Sequence, residues 1–580
     1  MEKTSPAARP SPAHHAARVR PASAWQRALP LALAVLLSAC ASVPEPKTAA
    51  TPAPLQLKLL AINDFHGNLQ APTGGLRMPD AERPGHWVSV PAGGAEHLAT
   101  AVAQLKAKNP NHLFVAAGDL IGASPLLSSL FHDEPTIESL SLMGLDLAAV
   151  GNHEFDHGLA ELLRKQNGGC HPQQGCSGPQ PFAGARFQYL AASTRYADSG
   201  KTVLPAYAVR HFEGVPVGVI GLTLKGTPGV SLAENMVGLR FEDEADTVNA
   251  LVPLLQRQGV QAFVVLVHEG GETSGGPNEC PDLSGAIVNI VQRLHPAVDV
   301  VISGHTHRAY SCQLQGKLLT SGSPYGAMLT EIDLQLDRKS GEVLQAKAHN
   351  LVVKREQFAK DPQQTALIAR YEALAAPKMQ RRVGHISAPF SREQDAAGSS
   401  ALGLLVADAA LAATQAPQSG GAHIAFTNPG GLRADLLPRE DGSVSFGDIY
   451  SVQPFGNKLL TLELSGAELL EVLEQQWRTD RFVPLQPSKG LRYTWDAQRP
   501  IGQRVLPGSV FIQDSPLQQS QRYRVTVNNF LAGGGDGFTL LQRAKVLSQG
   551  PQDVAALEAL LSQGPQAPSP AERMRKLGAR

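Results

Sequence analysis

"LDLAAVGNHEFDHG", residues Leu145 to Gly158, runs from an apolar stretch straight into Asn152, His153, Glu154, Asp156 and His157. A short apolar run that stops at a cluster of polar groups reads as a buried strand with chemistry at its tip. The same construction recurs in "LQLKLLAIND" (55–64), "HLFVAAGD" (112–119), "AFVVLVHEG" (262–270) and "VDVVISGHTH" (298–307). "GVPVGVIGLT" (214–223) is a further buried strand, and "GAEHLATAVAQLKAK" (94–108) and "EPTIESLSLMG" (134–144) carry helical periodicity. The alternation predicts a layered α/β or αββα domain, with ligands held where the strands stop.

At 580 residues the chain exceeds one ordinary core, so two domains with tails are expected. Hydrophobic residues are 43 % and charged residues 18 %, a globular balance, and the formal net charge is zero. No bulk electrostatic signal points to a nucleic acid polymer or an acidic partner.

Arg18, Arg20 and Arg27 precede the apolar "ALPLALAVLLSAC" (28–40), which is too short to span a bilayer. Its end, Leu37-Ser38-Ala39-Cys40, resembles the bacterial lipoprotein cleavage box. The resemblance implies a signal peptide over 1–39, lipid on Cys40 and a Pro/Ala tether over 40–54. Ala41 is not the Asp associated with inner-membrane retention, so an outer-membrane anchor facing the periplasm is expected. Four cysteines then remain, Cys170, Cys176, Cys280 and Cys312, and an even count in an oxidising compartment suggests two disulfides. Cys170 and Cys176 bracket the turn-rich "HPQQG", which leaves Cys280 for Cys312; a zinc site is the rival reading.

The first domain is expected over 55–355 and a linker helix within 356–385. In the helix, Asp361 caps, Pro362 opens, and Leu367, Ile368, Tyr371 and Leu374 form the apolar stripe. A second domain follows over 386–547, with strands near "HIAFTN", "KLLTLEL" and "YRVTVNNF". Residues 548–580 read as a tail of one helix and a Pro-containing disordered end.

Five strand-end segments carry metal-ligand residue types in order: "NDFHG" with Asp64 and His66, "AAGDLIG" with Asp119, "GNHEFD" with Asn152 and His153, "VHEGG" with His268, and "GHTH" with His305 and His307. Two divalent ions a few Å apart need a bridging carboxylate, flanking imidazoles and an amide oxygen. From Leu55 to Leu547 the chain resembles the bacterial 5′-nucleotidase and UDP-sugar hydrolase family of calcineurin-like metallophosphoesterases. The resemblance implies Asp64, His66 and His307 on one metal, Asn152, His268 and His305 on the other, and Asp119 between them. It assigns His153 to the transition state and Asp156 to orienting His153, while Glu154 is read as structural and His157 as exposed or supporting. Zn²⁺ or Mn²⁺ suits such mixed donors better than Mg²⁺ alone.

In the second domain "NPGGLRADL", "GDIYSVQPFGNKL" and "NNFLAGGGDGF" match the family's nucleotide-recognition segments. The resemblance implies a base between Phe455 and Phe530, phosphate on Arg433, substrate contacts from Asn428 and Asn457, and ribose on Asp536. Of a family arginine pair it offers Arg392 and, four residues on, Ala396, so one phosphate contact is either missing or supplied elsewhere, as by Lys458 or Arg492. A large rotation of the second domain belongs to the same implication. The expected activity is metal-dependent hydrolysis of 5′-nucleotides, extending to 2′,3′-cyclic nucleotides or UDP-sugars, by a lipid-anchored monomer. The alternatives are a thiosulfohydrolase-like metal enzyme of sulfur oxidation, which needs no base sandwich, and a non-catalytic nucleotide-binding surface lipoprotein.

Overall fold

The computed structural model describes residues 53–578, apart from 73–74, 80–82, 84–85, 178–179, 480 and 570–571. The expected signal peptide, Cys40 and nearly all of the tether lie outside the described residues.

Strand Leu55–Ile62 is buried at seven of its eight positions, and its alternation divides the side chains between two cores. Leu55, Leu57, Leu59 and Ala61 face a second sheet, whereas Leu60 and Ile62 face helices. Strand Ala262–His268 does the same from the other side: Val264 and Leu266 enter the inter-sheet core, and Phe263, Val265 and Val267 meet a second helical layer. Two six-stranded sheets therefore lie between helical layers, the predicted αββα arrangement. Each Leu or Val removed from water in this way contributes about 1.5–3 kcal/mol.

In the first sheet, Leu55–Ile62, His112–Ala116, Leu147–Ala149 and Gln188–Leu190 run parallel. Met328–Leu336 and Val343–Val352 add antiparallel strands at one edge. In the second, Val215–Thr223, Ala262–His268, Val300–Ser303 and Lys317–Ser321 run parallel. Parallel strands end at the same edge of a sheet, so both sheets present their C-terminal tips to one place. Cys170 pairs with Cys176 and Cys280 with Cys312, in agreement with the disulfide reading.

Helix Pro362–Met379 opens with the Asp361 carboxylate accepting the Gln363 and Gln364 N–H groups. Leu367, Ile368 and Tyr371 are buried, but Leu374 is 56 % exposed and Ala375 takes its expected place. The 3.6-residue period carries the face from 371 to 375. Gln364 and Ser139 exchange two hydrogen bonds, at 2.7 and 3.0 Å, so the helix is fastened to the first domain.

The second domain is built on a five-stranded sheet in the order Gln486–Pro487, Ile424–Thr427, Arg522–Asn528, Lys458–Ser465 and Lys545–Gln552. Here the expected helix is present, whereas the boundary at Leu547 and the disordered end are corrected. Strand Lys545–Gln552 completes this sheet, helix Asp553–Ser562 buries Ala556, Leu557 and Leu561, and strand Met574–Lys576 pairs in parallel with Leu491–Trp495. Arg573 grips both Asp408 carboxylate oxygens at 2.7 Å. Proline-containing composition suggests coil, but a remote strand edge and a remote carboxylate capture the segment. Leu557→Ala should therefore cost about 2–5 kcal/mol. Urea unfolding checks this, and an unchanged midpoint would return the segment to the status of a tail.

Candidate active site

Left-handed backbone marks the strand tips. Asp64, His66, Asp119, His305 and His307 all have φ between 46° and 71°. Non-glycine residues hold such angles at a cost of about 1–3 kcal/mol each, which surrounding bonds must sustain. The first two tips are laced together by Asp64 N–H to Gly118 O, His66 N–H to Asp119 O and Gly67 N–H to Leu120 O, each 3.0 Å. Across the sheets, His305 N–H donates to both Asp64 oxygens, at 3.0 and 3.1 Å. Gly151 is required by close approach: a Cβ there would stand 2.1 Å from Asp119 Oδ1.

Glu154 supports this lacing. Its buried carboxylate accepts N–H groups from Asp119, Leu120, Ile121 and Gly151, at 3.0, 2.8, 3.4 and 2.6 Å. Burial, with Asp119 nearby, pushes it up to about 7. Glu154 is thus structural, as read, and His157 is exposed.

Three overlapping groups of ligand atoms result: Asp64, His66 and His307; His66, Asp119 and His153; Asp119, His268 and His305. Asp119 belongs to two of them, and its Oδ2 lies 2.9 Å from His268 Nε2 and 3.7 Å from His66 Nε2. His66 Nδ1 faces Gly122 O at 2.9 Å and His268 Nδ1 faces Ala117 O at 2.8 Å. A carbonyl can only accept, so each Nδ1 carries hydrogen, and in the neutral ring Nε2 is left with a lone pair aimed inward. His66 Nε2 meets His307 Nε2 at 3.1 Å, and Asn152 Oδ1 lies 3.2 Å from His268 Nε2. Inward lone pairs converging on buried carboxylates form a donor set that fits divalent metal ions.

The carboxylates and imidazoles also shift one another's protonation. Burial alone would raise the Asp119 carboxyl, but His268 and His153 hold it well below its ordinary range. Asp64 is lowered against the same burial by His307 and His268. His268 rises to about 10 because Asp119 outweighs desolvation, whereas His305 falls to about 3 through burial and the neighbouring His268. His153 Nδ1 bonds Asp156 Oδ2 at 2.8 Å, and Asp156 with Asp119 raises the imidazole despite its burial.

A cleft of about 560 Å³ brings Asn152, His153, Asp156 and His305 opposite Asn428, Arg433, Phe455, Asn457, Phe530 and Asp536. Arg433 reaches across to within 3.4 Å of His66 Nε2. Phe455 lies nearly parallel to His153, with ring centroids 5.7 Å apart. Asn428 Nδ2 donates to Asp536 Oδ2 at 2.7 Å. The Phe530 ring lies so close over Gly535 that a Cβ there would meet it at 2.5 Å.

Arg392 does not join the cleft. It donates to the Leu432 and Arg433 carbonyls and lines a neighbouring cavity that shares Arg433. The expected substitutes are absent from the cleft lining too; Arg492 lies 4.0 Å over the Phe511 ring. Lys378 and Arg481 are the further cations lining it, together with Gln552 and, from the Cys170–Cys176 loop, Gln174. His171 of that loop stacks at 4.2 Å on His132, another lining residue. Single residues outside any motif carry no local signal, and sequence reasoning passes over all of these.

Residues 57–309 match the family described as calcineurin-like phosphoesterase, and residues 382–543 match the 5′-nucleotidase C-terminal domain. The endonuclease YhcR of Bacillus subtilis is 32 % identical over 479 residues, which is 82 % of this chain and 37 % of that protein. The cell wall protein Lmo0130 of Listeria monocytogenes is 31 % identical over 536 residues, 87 % of this chain and 66 % of that protein. This chain thus spans only part of the length of both. A probable 5′-nucleotidase of Treponema pallidum is 26 % identical over 564 residues, 84 % of this chain and 87 % of the relative. The solved structure of a 5′-nucleotidase precursor from Thermus thermophilus superposes with a TM-score of 0.73 at 26 % identity, covering 91 % of this chain and all of that one. With a phosphoesterase domain followed by the nucleotidase substrate domain, and the ligand set at the strand tips between them, the chain belongs to the 5′-nucleotidase family of calcineurin-like metallophosphoesterases.

Proposed function

We propose that the protein hydrolyses phosphate esters of nucleotides, as a 5′-nucleotidase, with two divalent metal ions. The observation that carries the reading is the shared cleft, in which metal-ligand side chains face two aromatic rings and an arginine from the second domain. Asp64, His66 and His307 would hold one ion and Asn152, His268 and His305 the other, with Asp119 serving both. Mixed imidazole, carboxylate and amide donors favour Zn²⁺ or Mn²⁺. Such ions would supply Lewis-acid polarisation of a phosphoryl group and a more acidic water.

The chain's own residues do the rest. Arg433, already turned toward the ligand set, binds the phosphate with a planar guanidinium. His153 places positive charge beside the reacting phosphoryl group, because Asp156 favours the protonated imidazole. Phe455 and Phe530 stack the base, and Asn428, Asn457 and Asp536 hold polar edges of the nucleoside, for about 1–3 kcal/mol of stacking per base. The domain-closing motion belongs to the proposal: closure over substrate brings the base-holding and metal-holding faces to this spacing.

We further propose that lipid on Cys40 anchors the enzyme in the cell envelope, at the outer membrane, where a nucleotide-salvage activity meets its substrates. Both cystine pairs support an oxidising compartment.

Purified protein with Mn²⁺ or Zn²⁺ should release phosphate from AMP, and EDTA should abolish the release. Failure on every nucleoside mono-, di- and triphosphate, cyclic nucleotide and UDP-glucose would overturn the reading. Turnover of thiosulfonate or of nucleic acid alone would replace it. His153→Ala should keep its metal by elemental analysis while kcat falls about 10²–10⁴-fold, whereas Asn152→Ala should lose metal affinity; the reverse pattern would exchange the two roles. Cys40→Ala should shift the protein from membrane to soluble fractions, and continued membrane retention would exclude the anchor.

A further inference from the structure

After helix Gly158–Asn167 the chain makes a small loop closed by the Cys170–Cys176 cystine, whose partners are six positions apart. Its base is fixed from the helix. Arg164, 8 % exposed, donates to the Gly169 carbonyl at 2.8 Å and holds Glu134 at 2.6 Å. Within the loop His171 and Gly175 exchange N–H to carbonyl bonds of 3.0 and 2.9 Å. His171 Nδ1 accepts the Gln173 and Gln174 N–H groups, at 3.3 and 3.1 Å, and its ring stacks on His132 with centroids 4.2 Å apart. Burial, with His171 alongside, holds the His132 imidazole down to about 4, so this ring stays neutral at ordinary pH. Both His132 and Gln174 line the cleft that holds His153, Phe455 and Phe530.

Pockets of about 560 Å³ enclose most of a bound ligand's surface, so a side chain in the wall reaches the substrate. Gln174 brings an amide with a donor and an acceptor, and a nucleoside offers partners for both in its hydroxyls and base edge. The loop's own hydrogen bonds are short-range and face water, where each contributes little net. The cystine is the link that water does not exchange, and it removes the open conformers of the loop. Exposure also separates the two cystines: Cys176 is exposed, whereas Cys312 of the other pair is 5 % exposed within an apolar cluster. We propose that the Cys170–Cys176 cystine sets one wall of the substrate cleft, holding the Gln174 amide against the nucleoside, so that affinity for nucleotides depends on the redox state of this pair. This rests on the nucleotide reading and deepens it. With a water-soluble phosphine the S–S bond breaks and both sulfurs take a proton to become thiols. Phosphorus is oxidised to the phosphine oxide, taking the oxygen of the one water that supplied those protons.

The test measures KM and kcat with Mn²⁺ for AMP and for p-nitrophenyl phosphate, an ester without a nucleoside, before and after treatment with tris(carboxyethyl)phosphine. Peptide mass spectrometry verifies thiols at Cys170 and Cys176 with Cys280–Cys312 intact. Reduction should raise KM for AMP by about 3–10-fold, the worth of one hydrogen bond, with kcat and the p-nitrophenyl phosphate KM changing far less. Gln174→Ala should show the same higher KM in the oxidised protein, with no further rise on reduction. The double variant Cys170→Ala/Cys176→Ala should match the reduced enzyme and ignore the phosphine. Gln174→Ala, which keeps the cystine, carries the test if that double variant does not fold. An AMP KM indifferent to verified reduction or to Gln174→Ala would overturn the inference. So would an equal loss on both esters, which marks a loop that only stabilises the fold. Failure of the wild-type protein on every nucleotide would instead defeat the nucleotide reading itself.

Discussion

Two buried carboxylates, Asp64 and Asp119, lie among imidazoles at the meeting point of two sheets, and the architecture of the first domain follows from the need to hold them there. Taken alone, such groups would neutralise by taking up protons. The surrounding histidines keep them ionised, and the left-handed strand tips keep the histidines in place. Those strained turns are sustained by bonds between tips and by the Glu154 cradle, while the αββα layers supply the rigid edge on which they rest.

Substrate recognition is divided differently. The first domain offers charge and the second offers aromatic faces, and Arg433 is the residue that crosses between them. Because Phe455 lies nearly parallel to His153, a ring of the second domain and an imidazole of the first form one surface.

Most of the first domain was legible because its signals are local. Two-residue alternation ending in "GNHEFD" or "GHTH" names both the strand and the group at its tip, and Asp361 followed by Pro362 names a helix start. Phe455 in "QPFGN" is assigned by family resemblance rather than by local pattern, and it lines the cleft. What failed depended on distant partners. Arg392 turns to the carbonyls of Leu432 and Arg433, a choice set by the neighbouring chain rather than by its own segment. Leu374 was misplaced by one helical position, and strand Met574–Lys576 pairs with residues some eighty positions earlier. No window of sequence contains both halves of such a contact.

That last pairing separates the two domains in assembly. The first domain's sheets are complete by Val352 and its fastening helix by Met379, whereas the second domain stays open at one sheet until Met574–Lys576 arrives. Domains fold as units in the order of synthesis. A chain interrupted anywhere between those points carries the whole strand-tip cluster of carboxylates and imidazoles and an incomplete second domain. Such a fragment keeps the cores of the first domain and lacks the last strand of the second.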